Sequence, residues 1–202
     1  HNDFYKLYNV YYKTDNSKES IKTIDEINKL CQINLNSSSK ISIVLKTMSG
    51  FKFKEHKIKP LSVNVDTMYN DTFKPVHETI VNKLKEGSKG VIMLHGKAGT
   101  GKTNYIKHLT NLVPKKRFVF ITTTMIPYLS DPSFLGELIE NKGSVLVLED
   151  CENYLKDRDV VGANNVVSTI LNLSDGILSD VLGLQIICTF NTNLKNVDKA
   201  LL

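Results

Sequence analysis

Gly96-Lys97-Ala98-Gly99-Thr100-Gly101-Lys102-Thr103 matches the pattern G-x-x-x-x-G-K-[ST] throughout. Glycines at these spacings let the backbone curl so that successive N–H groups point into one concavity, and a helix starting just after them adds the positive end of its dipole. The natural occupant of such a concavity is a polyphosphate. Lys102 would reach the β- and γ-phosphates, and the Thr103 hydroxyl would ligate Mg2+. Lys97, in the variable part of the motif, reads as a solvated loop charge. The bland alternative is a glycine-rich turn that happens to carry a lysine. It is disfavoured because an apolar run, Val91 to Leu94, precedes the loop, and a helical stripe of Ile106, Leu109 and Leu112 follows it.

A phosphate site also needs a metal partner and a way to activate water. Val145-Leu-Val-Leu148 is a short apolar run that ends in two carboxylates, Glu149 and Asp150. Adjacent side chains diverge at the end of a strand, so one acid can face a Mg2+ shell while its neighbour faces the γ-phosphate. Glu149 is therefore grouped with Thr103 as a metal residue, and the two acids are read as a pair. Their bland reading is a pair of surface acids capping a helix. Ile186 to Asn191 is a further apolar run ending in a polar side chain. In an open parallel sheet ligands bind beyond the carboxyl ends of the strands, which would bring Asn191 to the same edge. Taken alone, Asn191 is equally a turn former.

These residues need elements to hold them. Four continuously apolar runs, Val91–Leu94, Phe118–Ile121, Val145–Leu148 and Leu184–Cys188, read as buried strands. Helical stretches are expected around Pro75 to Leu84, with Gly87 just past the end, and around Thr103–Leu112, Ser133–Asn141 and Asn164–Leu173. Strands alternating with helices imply an α/β fold, a parallel central sheet in three αβα layers. Upstream the pattern differs. Asn16-Ser-Lys-Glu19 resembles a capping box opening a helix over about Lys18–Cys31, and an aromatic cluster around Tyr5, Tyr8, Tyr11 and Tyr12 reads as packing. Ile41, Ile43 and Leu45, then Phe51 and Phe53, alternate on either side of Ser49-Gly50 and predict a β-hairpin. The expected division is a small α+β region over 1–65 and a nucleotide-binding core over 66–202.

The chain has 202 residues, 41% hydrophobic and 23% charged, with a formal net charge of +5. The excess is localised. Six lysines against one glutamate lie between Lys40 and Pro60, and basic and acidic residues balance elsewhere. A uniformly basic protein is excluded. No apolar run approaches the roughly 20 residues that span a bilayer. The three cysteines, Cys31, Cys151 and Cys188, have no CxxC spacing, which suits buried thiols in a reducing compartment. The opening residues show no charged leader with an apolar block, so a cytoplasmic location is expected.

The order of motifs, the phosphate loop, then Leu148-Glu149-Asp150, then Leu171-Asn-Leu-Ser-Asp-Gly176, then Cys188-Thr-Phe-Asn191, resembles the AAA+ ATPases, and within them the AAA group. The resemblance covers about Asp66 to Leu202. The Glu149-Asp150 order, reversed from most members, is similar to that of the mitochondrial cytochrome-bc-complex assembly chaperones. It implies that Lys102 and Thr103 are the Walker A residues, Glu149 and Asp150 the Walker B pair, and Asn191 the first sensor. It also implies an adenine lodged near Tyr69 and Asn70. Family members carry an arginine finger and a helical lid after a segment like Asn196–Leu202, where this sequence ends, so the core is read without a lid. The aromatic-glycine pore loop of many unfoldases is not recognisable before Gly143, where Tyr128 is the one ambiguous aromatic.

Two functional expectations result. The first is an ATP- and Mg2+-dependent ATPase core, chaperone-like, binding ATP and ADP and assembling as a homo-oligomeric ring that remodels or translocates a protein. The second is a nucleotide-gated loader or scaffold acting on nucleic acid. There the lysines of the hairpin would follow a phosphate backbone while Phe51 and Phe53 stack on bases. Against this, edge strands commonly carry lysine to block aggregation.

Overall fold

Apolar strands with no polar face must be covered on both sides, and the molecule is built around that need. In the computed structural model, residues 39–154 and 166–191 are described. They contain six strands, β1 (Ser39–Thr47), β2 (Gly50–Ile58), β3 (Gly90–His95), β4 (Phe118–Ile121), β5 (Val145–Leu148) and β6 (Gln185–Phe190). The helices are α1 (Val65–Met68), α2 (Phe73–Glu86), α3 (Lys102–Leu112), α4 (Pro132–Glu140), α5 (Val166–Ser174) and α6 (Ile177–Leu182). The sequence-predicted helix over Lys18–Cys31, the N-terminal aromatics, Cys31 and the Asn196–Leu202 segment lie outside the described residues.

All six strands form one sheet in the order β2-β1-β4-β5-β6-β3. Every neighbouring pair is parallel except the β1–β2 hairpin. Alternation along β5 shows why it must be apolar throughout. Val145 and Val147 pack with Ile80, Leu84, Tyr105, Ile106 and Leu109 of α2 and α3. Leu146 and Leu148 pack on the opposite face with Phe134 and Leu138 of α4, Ile170 and Leu173 of α5, and Leu182 of α6. This is the expected three-layer α/β arrangement of a P-loop fold. Helix α2 has Pro75 in its first turn, and Gly87 (φ 75°) closes it, its N–H donating to the Lys83 carbonyl at 3.2 Å.

The hairpin forms where the alternation places it, in the register Thr47↔Gly50 to Ser39↔Ile58. Its setting differs from the expectation of a separate N-terminal region. Ile41, Ser42 and Ile43 pair in parallel with Phe118, Val119 and Phe120, so the hairpin continues the central sheet. All the described residues belong to one compact unit, and a boundary at residue 65 would fall within it. The aromatics of β2 are consumed by this packing. Phe51 is 5% exposed, and its ring lies 5.1 Å from that of Phe134 and 5.6 Å from that of Tyr128. Phe53 sits 6.0 Å from Phe134. Phe51 is thereby withdrawn from solvent and Phe53 is half-buried, which weakens the aromatic half of the nucleic-acid reading. Two of the lysines are also engaged, Lys40 with Glu55 at 2.8 Å and Lys46 with its Nζ 4.0 Å from the Tyr128 ring. Tyr128 is therefore a packing residue under Lys46. Lys116 is half-buried and directs its Nζ at the Gly143 carbonyl; burial lowers its pKa.

Phe134 of α4 is fully buried against the hairpin. Truncating a buried phenylalanine to alanine costs about 3–5 kcal/mol. Denaturant unfolding of Phe134→Ala should show a loss of that size. Leu45→Ala, at a position 42% exposed, should stay within about 0.5 kcal/mol of wild type.

Candidate functional site

Three parallel strands, β3, β6 and β5, end side by side, with Gly96, Asn191 and the Glu149-Asp150 pair just past their carboxyl ends. The loop after β3 turns on glycines with φ of 159° at Gly96, 80° at Gly99 and 89° at Gly101. At Gly101 the conformation is demanded twice. An added Cβ would be strained by the positive φ and would also meet the Tyr69 hydroxyl at 3.0 Å. Gly101 is the N-cap of α3, and the Thr100 side chain steadies the loop by donating to the Lys97 carbonyl at 2.8 Å. The Lys97 side chain is exposed, as expected of a solvated charge.

Lys102 arches back over its own loop. Its ammonium donates to the Gly96 carbonyl at 2.7 Å, the Lys97 carbonyl at 3.1 Å and Asn191 Oδ1 at 2.7 Å. A lysine has three protons to donate, and all three are directed at acceptors at the loop mouth. Asn191 uses both ends of its amide, since its Nδ2 donates to Asp150 Oδ1 at 3.2 Å. Thr103 Oγ1 donates to Glu149 Oε1 at 2.7 Å. The structure thus brings together Lys102, Thr103, Glu149, Asp150 and Asn191 from three separate stretches of sequence.

The Thr103–Glu149 pair can be tested against Mg2+. An octahedral ion with ligands at 2.0–2.1 Å places adjacent oxygens about 2.9 Å apart. A hydroxyl and a carboxylate oxygen already 2.7 Å apart fit that spacing. Among the described residues no group of three or more His, Cys, Asp or Glu could hold a metal alone. Mg2+ commonly takes one or two protein oxygens and completes its shell with water and phosphate, so the donor set suits it.

Two features were not legible in the motifs. The first is the turn after β5. Asp150 has φ 51°, the one positive value outside glycine among the described residues. Aspartate tolerates this region, at about 1 kcal/mol or more. Thr189 holds the turn: its Oγ1 accepts from the Asp150 N–H at 3.0 Å, and its carbonyl accepts from the Cys151 N–H at 3.0 Å and Cys151 Sγ at 3.2 Å. Glu152 returns the contact, its Oε1 accepting from the Asn191 N–H at 2.7 Å. A buried threonine inside an apolar strand reads from sequence only as a β-branched strand former, so nothing marked it.

The second is the aromatic support beneath the loop. The Tyr69 hydroxyl donates to the Gly101 carbonyl at 3.0 Å. Its ring packs 5.0 Å from Phe73 and 5.8 Å from Tyr105. Tyr105 OH meets His77 Nδ1 at 3.0 Å, and His77 stacks on His108. His108 Nδ1 in turn accepts from the Val63 N–H at 3.2 Å. Burial raises the pKa of both tyrosines, keeping them protonated donors. Asn70 is exposed, its carbonyl accepting from the Phe73 N–H at 2.8 Å. His95 is exposed and stacks on Phe190. Cys151 and Cys188 are buried thiols, as expected.

The model of the ATPase family associated with various cellular activities (AAA) matches residues 92–202, more than half the sequence. The chain belongs to the AAA ATPase family. No curated protein matches it. Among solved structures, a chain of the E. coli MS115-1 HORMA:CdnC:Trip13 complex is similar at 12% identity and a TM-score of 0.48. That likeness covers 63% of this chain, which spans 58% of the other's length. Membership places an AAA domain over these residues, on a fold of the P-loop type. Among the described residues no helix is long and apolar enough to cross a membrane.

The histidine pair under the loop yields a pH test. Burial, and then the neighbouring His108, depress the pKa of His77. A depressed histidine binds fewer protons when folded than when unfolded, so its contribution to stability is complete above the ordinary value of about 6.5 and is lost as pH falls below it. The melting temperature should drop between about pH 7 and pH 5, and His77→Gln should make that drop shallower.

Proposed function

We propose that the site binds ATP with Mg2+ and hydrolyses it, and that the meeting of Lys102, Thr103, Glu149, Asp150 and Asn191 at one sheet edge is the observation that carries this reading. The loop amides and the α3 N-terminus receive the phosphates. The Lys102 ammonium, whose protons now rest on two loop carbonyls and Asn191, turns them toward the β- and γ-phosphates. Thr103 and Glu149 hold Mg2+, which when bound neutralises phosphate charge and helps align it for in-line attack. Asp150 lies on the far side of Asn191 from Lys102 and accepts a proton from the attacking water. Asn191 fixes the distance between that carboxylate and the ammonium. General-base assistance of this kind contributes typically about 10²–10⁴-fold in rate.

The assembly is read as a ring-forming motor that remodels or translocates a protein, and family membership supports this. The resemblance to the bc-complex assembly chaperones rests on the Glu149-Asp150 order. For that order the side-chain lengths matter: the longer Glu149 spans to Thr103, and the shorter Asp150 is carried to Asn191 by its turn.

The test is Mg2+-dependent ATP hydrolysis by the full-length protein. Lys102→Ala should lose nucleotide binding and turnover together. Asp150→Asn should keep binding and slow hydrolysis by at least about 100-fold, because binding and water activation use different groups. Turnover by Lys102→Ala at the wild-type rate would overturn the assignment.

A further inference from the structure

Strand β6 does more at this edge than deliver Asn191. Two residues earlier, Thr189 is 2% exposed and contacts the turn after β5 through three hydrogen bonds. Its hydroxyl accepts from the Asp150 N–H and its carbonyl from the Cys151 N–H and thiol. The strand register explains the need for this clamp. Leu148 is level with Cys188, so Glu149 would stand level with Thr189, two residues short of Asn191 along the strand direction. To bring a carboxylate to Asn191, the chain must advance beyond the end of β5, and it does so through Asp150 at φ 51°. A left-handed aspartate persists only where its surroundings hold it. The Thr189 hydroxyl bonds the N–H of that very residue.

We propose that Thr189 is a positioning residue for the hydrolytic step: its side-chain oxygen holds the Asp150 turn in the left-handed conformation that aims the carboxylate at Asn191. This rests on the ATPase reading above. Those three hydrogen bonds of the Thr189 hydroxyl and carbonyl go to the turn after β5 and not to the phosphate loop or Lys102, so the effect of Thr189 falls on turnover and not on nucleotide capture. The Glu152 contact to the Asn191 N–H closes the same link from the other side. The ends of β5 and β6 are thereby tied into one unit, and a shift of Asn191 toward or away from a phosphate is passed directly to Asp150.

Thr189→Val keeps the β-branched shape and both carbonyl bonds while deleting the hydroxyl acceptor. It should lower kcat about tenfold and leave the affinity for a fluorescent ADP analogue within about twofold of wild type. Thr189→Ser, which keeps the oxygen, should restore most of the rate. Hydrogen exchange of a peptide spanning residues 149–154 should be faster in Thr189→Val and near wild type in Thr189→Ser. A wild-type kcat in Thr189→Val, an equal loss in Thr189→Ser, or unchanged exchange would overturn the proposal. If the wild-type protein does not hydrolyse ATP, the ATPase reading fails, and the exchange measurement still decides whether Thr189 holds the turn. Should Thr189→Val not fold, Thr189→Ala makes the same comparison.

Discussion

Parallel pairing of β3, β6 and β5 is the constraint on which the site depends. Strands about 4.8 Å apart that run the same way must end on the same edge, whatever lies between them in sequence. The register then sets the details. His95 is level with Phe190, so Gly96 is level with Asn191, and a lysine arching over the loop finds the asparagine within 2.7 Å. Because β6 lies between β3 and β5, Asn191 stands between the loop and the acidic pair. It can then receive Lys102 on one side and reach Asp150 on the other. An asparagine suits that place because its amide offers both an acceptor and a donor.

The basic hairpin shows how a compositional signal changes meaning once packing is known. Its charge excess is real, but the two aromatics that would have stacked on bases pack against Phe134. Phe51 and Phe53 form a three-ring cluster with Phe134, and Lys46 covers Tyr128. Glu137 reaches across to the sheet edge, its Oε1 accepting from the Phe53 N–H at 3.2 Å. Lys52, Lys54 and Lys57 remain exposed along β2, the outermost strand of the sheet. Lysines on an edge strand discourage pairing with another chain, and α4 is anchored on one face of that strand.

The strands of the core and the phosphate loop were legible because their signals are local: continuous apolar runs, a glycine spacing, a stripe at helical period. The hairpin was legible as a hairpin for the same reason. Its membership of the central sheet was not, since pairing Ile41 with Phe118 joins segments far apart in sequence and leaves no periodic trace. Helix α6 was missed because six residues give less than two turns, and three of them, Ile177, Leu178 and Val181, are exposed apolar side chains that break any amphipathic pattern. At the site, charged and glycine residues announced themselves, whereas Thr189 and the Tyr69 hydroxyl did not. Each hydroxyl makes one hydrogen bond to a backbone group, and backbone partners have no signature in a sequence.

The reversed order of the two acids is intelligible in this geometry. A carboxylate at position 149 must cross from the end of β5 to the first turn of α3, and the extra methylene of glutamate lets it reach the Thr103 hydroxyl directly. The next acid must approach Asn191, which lies further along the strand direction. There side-chain length is exchanged for backbone advance: aspartate is short, but it is among the few residues other than glycine that enter the left-handed region at modest cost. Once there, its N–H is met by Thr189. A glutamate at 150 would extend further but would be less at ease with φ 51°, and an aspartate at 149 would be one methylene shorter in its reach toward Thr103. The order Glu then Asp is thus coupled to the turn, and the turn is coupled to the threonine beneath it.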